Sequence, residues 1–266
     1  EATKGSSLRS VLELGSENYV LSNLFKKLED DLGLNPHLVT QEKAIQHVKK
    51  TKDATKHFYA ILDSKPAVLM SILEKARSIL SDILKDFSPF HIFPRYTLGA
   101  TQTLPRGTDI LTRIKTGCGY RTIMESFDST TAGWLLANLP HVESSSKNNV
   151  TVFMTVPKTA QEARPIGLHE VYILAIQAGV HDYLAKVLKK ECNIDLTTAQ
   201  EKHRAYAEYY SVEPDYCTMD QSNASQNILR AHCQYLLPKE FFGFVDKICP
   251  RIIVIDDVEY HHEMMM

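Results

Sequence analysis

The run Tyr216-Cys217-Thr218-Met219-Asp220-Gln221-Ser222-Asn223-Ala224-Ser225-Gln226 constrains the fold more than any other part of this chain. A short β-prone stretch ends on a carboxylate. Small polar residues follow, and then Ile228, Leu229, Ala231, His232, Tyr235 and Leu236 recur with helical spacing. A strand that passes through Asp220 into a helix requires a mixed α and β architecture. It also leaves one carboxylate at the carboxyl end of a strand, within reach of a hard cation and phosphates. Two such cations can clamp the attacking and leaving oxygens of a phosphoryl transfer. The plainer alternative is that Asp220 or Ser222 caps the next helix, a position where both residue types are favoured. The pattern is short enough to arise by chance, so its neighbours must decide.

Upstream, periodicity predicts helices over Leu8 to Leu28, Lys43 to Leu62 and Pro66 to Phe87. The third carries Leu69, Ile72, Leu73, Ala76, Ile79, Leu80, Ile83 and Leu84, with Pro66 at its start and Pro89 past its end. Lys49, Lys50, Lys52 and Lys56 read as a solvated helix face, with RNA contact the alternative. Ser88 to Ser146 is rich in Gly, Pro, Thr and Ser and reads as loops. Between Phe90 and Arg121 the basic residues Arg95, Arg106, Arg113, Lys115 and Arg121 face one acid, Asp109, which suits a surface that tracks an RNA backbone. A strand is expected over Thr151 to Val156. Helices are expected over His169 to Lys190, Gln200 to Tyr210 and Pro238 to Ile248. Arg251 to Ile255 and Val258 to His262 read as strands joined through Asp256-Asp257. The expected regions are 1–87, helical; 88–210, with basic loops and a phosphate-binding segment; and 211–266, beginning at the Asp220 strand.

Composition excludes several classes. With 266 residues, 44% of them hydrophobic, the chain can build a real core. A net charge of −2 argues against a uniformly basic nucleic-acid binder but permits a local basic channel. Five scattered cysteines without a CxxC pair give neither a zinc site nor a disulfide framework. No apolar run approaches a membrane span, so no membrane partner is expected. The chain starts at Glu1 and stops in a Met run, which reads as a piece of a longer protein.

Several further pieces stand in a fixed order. They are Val156-Pro157-Lys158-Thr159-Ala160-Gln161-Glu162-Ala163-Arg164-Pro165-Ile166, Gln177-Ala178-Gly179 and Asn193-Ile194-Asp195-Leu196. After them come Gln200, His203, Ala207 and Ser211, the Asp220 segment, and Leu236-Leu237-Pro238. In this order and spacing the chain resembles the RNA-dependent RNA polymerase (replicase) of levivirus-type single-stranded RNA bacteriophages. The resemblance is firm from Phe153 to Pro238 and extends weakly to Met266 and back to Leu98-Gly99-Ala100-Thr101.

The resemblance implies an α+β right-hand polymerase: a helical N-terminal region, then the fingers and the first part of the palm. It implies template-directed nucleotidyl transfer with Mg²⁺, or Mn²⁺ in its place. Asp220 would hold the metal as the catalytic carboxylate, and Lys158 and Arg164 would hold the triphosphate. Gln226 stands where the family commonly has a second aspartate near the nucleotide sugar, with Asn223 and Ser225 close by. Gln161 replaces a basic residue usual between Lys158 and Arg164. His169 and His203 stand where Glu and Asn are frequent, and both read as structural. Implied partners are an RNA template and product, NTPs and host translation factors, in the cytoplasm of an infected bacterium.

Asp256-Asp257 looks like a polymerase Gly-Asp-Asp hairpin, but Ile255 replaces the Gly and only 36 positions separate Asp256 from Asp220. It reads as an exposed turn, with the second acidic motif outside these residues and the chain alone inactive. Two other function classes stay open: a non-catalytic RNA-binding protein using Arg95 to Arg121, and a helical interaction module in which Asp220 is a cap.

Overall fold

A computed structural model describes residues 36–116, 124–139, 150–158, 163–212, 215 and 227–265. The helix expected over Leu8 to Leu28 lies outside them. Among the described residues there are eight α-helices and one four-stranded sheet. The chain divides into two compact units: Glu1–His47 with Phe153–Ile166, and Val48–Val152 with Gly167–Met266.

Helix α1 (Pro36–Ser64) starts seven residues before the expected Lys43. Proline is at home at a first helical position, where its missing N–H costs nothing. Further along, Val48, Thr51 and Phe58 form its buried stripe in the larger unit. Lys49, Lys50, Lys52 and Lys56 are exposed, as a solvated face requires. The helix ends where Lys65 turns to φ 48° ahead of Pro66, which cannot continue the α1 hydrogen-bond ladder. Helix α2 (Ala67–Ile83) follows, its Arg77 guanidinium 5.7 Å over the Tyr235 ring.

The core of the larger unit lies around the first half of a long helix, α5 (Val171–Cys192). Tyr172, Ile173, Ala175 and Ile176 are fully buried there. Phe87 contributes edge-on contacts with Phe241 at 4.9 Å and Phe244 at 5.8 Å. Such pairs add to simple area burial.

The segment read as loops contains two short helices, α3 (Ile110–Thr116) and α4 (Ser129–Ala137). Asp109 accepts from the Thr112 N–H at the start of α3, and Asp128 accepts from the Thr130 and Thr131 N–H groups at the start of α4. These are N-cap contacts, and they hold both carboxyls below their usual pKa.

Strands β1 (Thr151–Pro157), β2 (Ala163–Leu168), β3 (Ile252–Ile255) and β4 (Val258–His261) form a sheet of order β2-β1-β3-β4. Strand β1 runs parallel to β3, and β3 antiparallel to β4. Gly167 is obligatory for close packing here, because a Cβ would sit 2.6 Å from the Thr151 methyl.

After β2 and α5 come α6 (Ala199–Tyr210), α7 (Arg230–Leu236) and α8 (Lys239–Lys247). The last matches the expected helix, with Pro238 just before it.

Candidate nucleotide-binding and metal site

Lys158 directly follows β1, and Arg164 is the second residue of β2. Only residues 158–162 connect the two strands, so β1 and β2 pair as a hairpin; a parallel pairing would need a far longer crossover. Both cations are exposed and sit at the loop end of that hairpin. Arg164 lies in a strand whose Pro165 lacks a ladder donor. Strand β2 is at the sheet edge, the one place a sheet tolerates that proline. Within the smaller unit the first turns of α1 meet the hairpin. His37 Nδ1 lies 2.6 Å from Thr155 Oγ1, and the Thr40 hydroxyl donates to Ala163 O at 3.2 Å. Gln161 lies outside the described residues.

Asp220, Asn223, Ser225 and Gln226 also lie outside the described residues, as does the strand expected to precede Asp220. Both flanks are described. On the far side, Ile228 and Leu229 do not open the helix as expected. Leu229 bridges to Met264, Met265 N–H donates to Ile228 O at 2.9 Å, and Arg230 N–H donates to Glu263 O at 2.6 Å. Backbone pairing with 263–265 outcompetes the first helical turn, so α7 begins at Arg230. His232 Nδ1 accepts from the Leu229 N–H at 3.4 Å. Burial, which lowers the His232 pKa, favours the neutral ring that this contact requires.

Arg230 is a residue that no sequence pattern singles out. Its side chain is 4% exposed and paired with Asp246. It also donates to the carbonyls of Cys249 at 3.1 Å and Pro250 at 3.3 Å. Arg251 reaches the other Asp246 oxygen at 2.8 Å. The chain leaving the Asp220 segment is therefore tied to the turn before β3. Periodicity carries no signal for an arginine recruited by a distant aspartate.

The basic segment divides. Arg113 is 1% exposed and donates to Thr108 O at 2.8 Å and Pro105 O at 3.2 Å. It holds its own loop together, so its expected place on an RNA-facing surface is corrected. Arg95 is exposed but forms a two-pronged pair with Asp182, at 2.7 and 3.0 Å, which pulls the Asp182 carboxyl down to about 2. Arg106 and Lys115 are exposed. Arg121 lies outside the described residues.

Several residues in the ordered pieces have structural reasons to be there. A Cβ on Gly179 would meet Phe93 O at 2.6 Å, so α5 and the Phe93 backbone touch only because that residue is glycine. Gln177 donates to Ile248 O at 3.0 Å, just past α8. Gln102 donates to Val150 O at 2.6 Å and Leu168 O at 3.1 Å, tying the start of β1 to the end of β2. Asn193 takes the left-handed conformation that ends α5. Asp195 accepts from Lys189 at 2.7 Å and from Thr197, which holds its carboxyl well below the usual range. His169 is buried, with Thr151 Oγ1 3.3 Å from its Nδ1, consistent with a structural role. His203 is exposed on α6.

A mixed α and β protein that presents an exposed Lys and Arg at the end of one hairpin belongs among those that can meet anionic, phosphate-bearing ligands. The model of the family described as RNA replicase, beta-chain matches residues 37–265. The chain belongs to the RNA replicase beta-chain family. Among curated proteins none matches it. No helix among the described residues is long and apolar enough to cross a membrane.

Proposed function

We propose that the chain is part of the RNA-directed RNA polymerase of a levivirus-type RNA bacteriophage. It copies the viral genome by nucleotidyl transfer in the cytoplasm of an infected bacterium. Membership of the replicase family over residues 37–265 carries this reading. In it, 1–87 is a helical N-terminal region, 88–210 belongs to the fingers and 211–266 opens the palm. RNA template and product, NTPs and host translation factors are its partners.

Lys158 and Arg164 neutralise the triphosphate, Lys as a point charge and Arg as a planar fork. Both are exposed at the hairpin end, which supports that role. Asp220 supplies a hard oxygen donor of the kind Mg²⁺ or Mn²⁺ prefers. The bound ion would supply charge stabilisation for the attacking and leaving oxygens. Asn223, Ser225 and Gln226 offer hydrogen bonds to the nucleotide sugar, Gln226 as a neutral donor and acceptor in place of a carboxylate.

The test uses the complete replicase. Lys158→Ala and Arg164→Ala should each raise the KM for NTP at least tenfold while the template affinity stays within twofold. Asp220→Ala should abolish incorporation in a protein with an unchanged melting curve. Normal incorporation by a folded Asp220→Ala protein would sink the assignment.

A further inference from the structure

Helix α6 buries none of its twelve residues. A helix this short usually owes its stability to a packed face. Here the apolar content is instead set out in water: Tyr206 is 59% exposed, Tyr209 67%, and Tyr210 is half-buried. The Tyr209 and Tyr210 rings lie 4.9 Å apart and nearly perpendicular, and Tyr206 and Tyr210 lie 6.2 Å apart.

The sequence explains why the rings gather. Residues three and four apart share a helix face, so Tyr206, Tyr209 and Tyr210 fall on one side. At roughly 100° per residue, Lys202 and His203 sit on that side one turn earlier, while Glu201 and Glu208 fall on the opposite side. The helix as a whole is nearly neutral, but its aromatic face carries a cation, an imidazole and no acid. That separation suits an anionic partner with flat apolar groups.

We propose that this face of α6 is a stacking platform for single-stranded RNA, distinct from the hairpin that carries Lys158 and Arg164. Exposed aromatic rings beside basic groups take successive bases on their faces while the cations meet the phosphates. A protein partner would also use tyrosines, but the acid-free, Lys-bearing face favours a polyanion. An isolated nucleotide is a poorer fit, because small ligands are held in concave pockets rather than on a convex helix. The platform is also close to the proposed chemistry along the chain. Tyr210 and Asp220 are ten residues apart. The choice of RNA draws on the family; the assignment of Asp220 plays no part in it.

The experiment measures fluorescence anisotropy of a labelled twelve-nucleotide oligouridylate on the full 266-residue chain. It is run without metal or NTP, so the outcome does not depend on the polymerase reading. The Tyr206→Ala/Tyr209→Ala/Tyr210→Ala variant should bind at least tenfold more weakly with an unchanged melting temperature. Alanine keeps the helix and removes only the rings. The corresponding triple Tyr→Phe variant should bind within twofold of the parent. Lys202→Gln should reduce the salt dependence of binding, whereas the ring variants should leave it unchanged. Should the triple alanine variant unfold, Tyr209→Ala alone serves as the test, with a threefold or greater loss expected. Unchanged affinity in a folded ring variant overturns the proposal. So does equal displacement of the RNA by inorganic polyphosphate, which would leave charge as the sole attraction. Loss of self-association with RNA binding intact also overturns it, by making the face a protein contact.

Discussion

At the scale of single residues, the groups most out of keeping with their surroundings are His169 and His262, 7% and 2% exposed. Burial pushes each ring down to about 4, and the Arg230 charge adds to the effect on His262. Nearby titratable groups include Glu170, which precedes α5, and His261 on β4. The two rings also disfavour each other's charge. The sign follows from proton counting. Between pH 6.5 and 4 the unfolded chain binds protons that the folded chain refuses, so acid favours unfolding in that window. Each histidine then contributes stability that is complete above about pH 6.5 and is lost toward pH 4, on the order of 3 kcal/mol apiece at most. Asp182, with its carboxyl held at about 2, acts only below pH 4. Urea midpoints should therefore be level above pH 7 and fall steadily from pH 6.5 to 4. The His169→Gln/His262→Gln variant should flatten that fall. A slope that persists in the double variant would mean that other groups carry it.

At the scale of elements, what the sequence revealed depended on how local the causes were. Helices α2, α5 and α8 were legible because each has a repeating apolar stripe, with a proline just before the start of α2 and α8. Strand β2 was not. Ala163-Arg164-Pro165-Ile166-Gly167-Leu168 contains a proline and a glycine, which individually argue against a strand. Its edge position and the close packing on Thr151 overcome both objections, and both are tertiary facts. The start of α7 was misjudged for the same reason, since Leu229 pairs with Met264, 35 residues away. For the candidate site, Lys158 and Arg164 are exposed and Arg113 is buried, and none of the three burials is readable from local sequence. The β3–β4 turn was legible and can be tested. Asp256 and Asp257 both have positive φ, at 48° and 60°, between the paired residues Ile255 and Val258. A two-residue connection of that kind is the type I′ hairpin turn, which Asn-Gly fits better than Asp-Asp. Replacing Asp256-Asp257 by Asn-Gly should stabilise the protein by about 0.5–1 kcal/mol, the relief of left-handed strain less the entropy cost of glycine, read as a higher urea midpoint at unchanged m-value. A loss of stability would show that the two carboxylates hold something beyond the turn.

At the scale of the whole molecule, that hairpin decides how much catalytic machinery these 266 residues hold. In the proposed reading a two-ion phosphoryl transfer draws its carboxylates from more than one strand, and Asp220 is the one carboxylate proposed for it. The other candidates by pattern are Asp256 and Asp257. Their left-handed backbone is accounted for by the turn, and their exposure is what a turn requires. A pair whose work is to close a hairpin can be exchanged for Asn-Gly without chemical consequence; a pair that ligates metal cannot. The expected outcome is that the purified chain, given RNA template, NTPs and Mg²⁺, incorporates no nucleotide by itself. Incorporation should appear in the complete replicase and survive there, within twofold, when Asp256-Asp257 is replaced by Asn-Gly. Incorporation by the chain alone that is lost on Asp257→Asn would reverse the reading, making β3–β4 the second acidic strand pair of the catalytic centre.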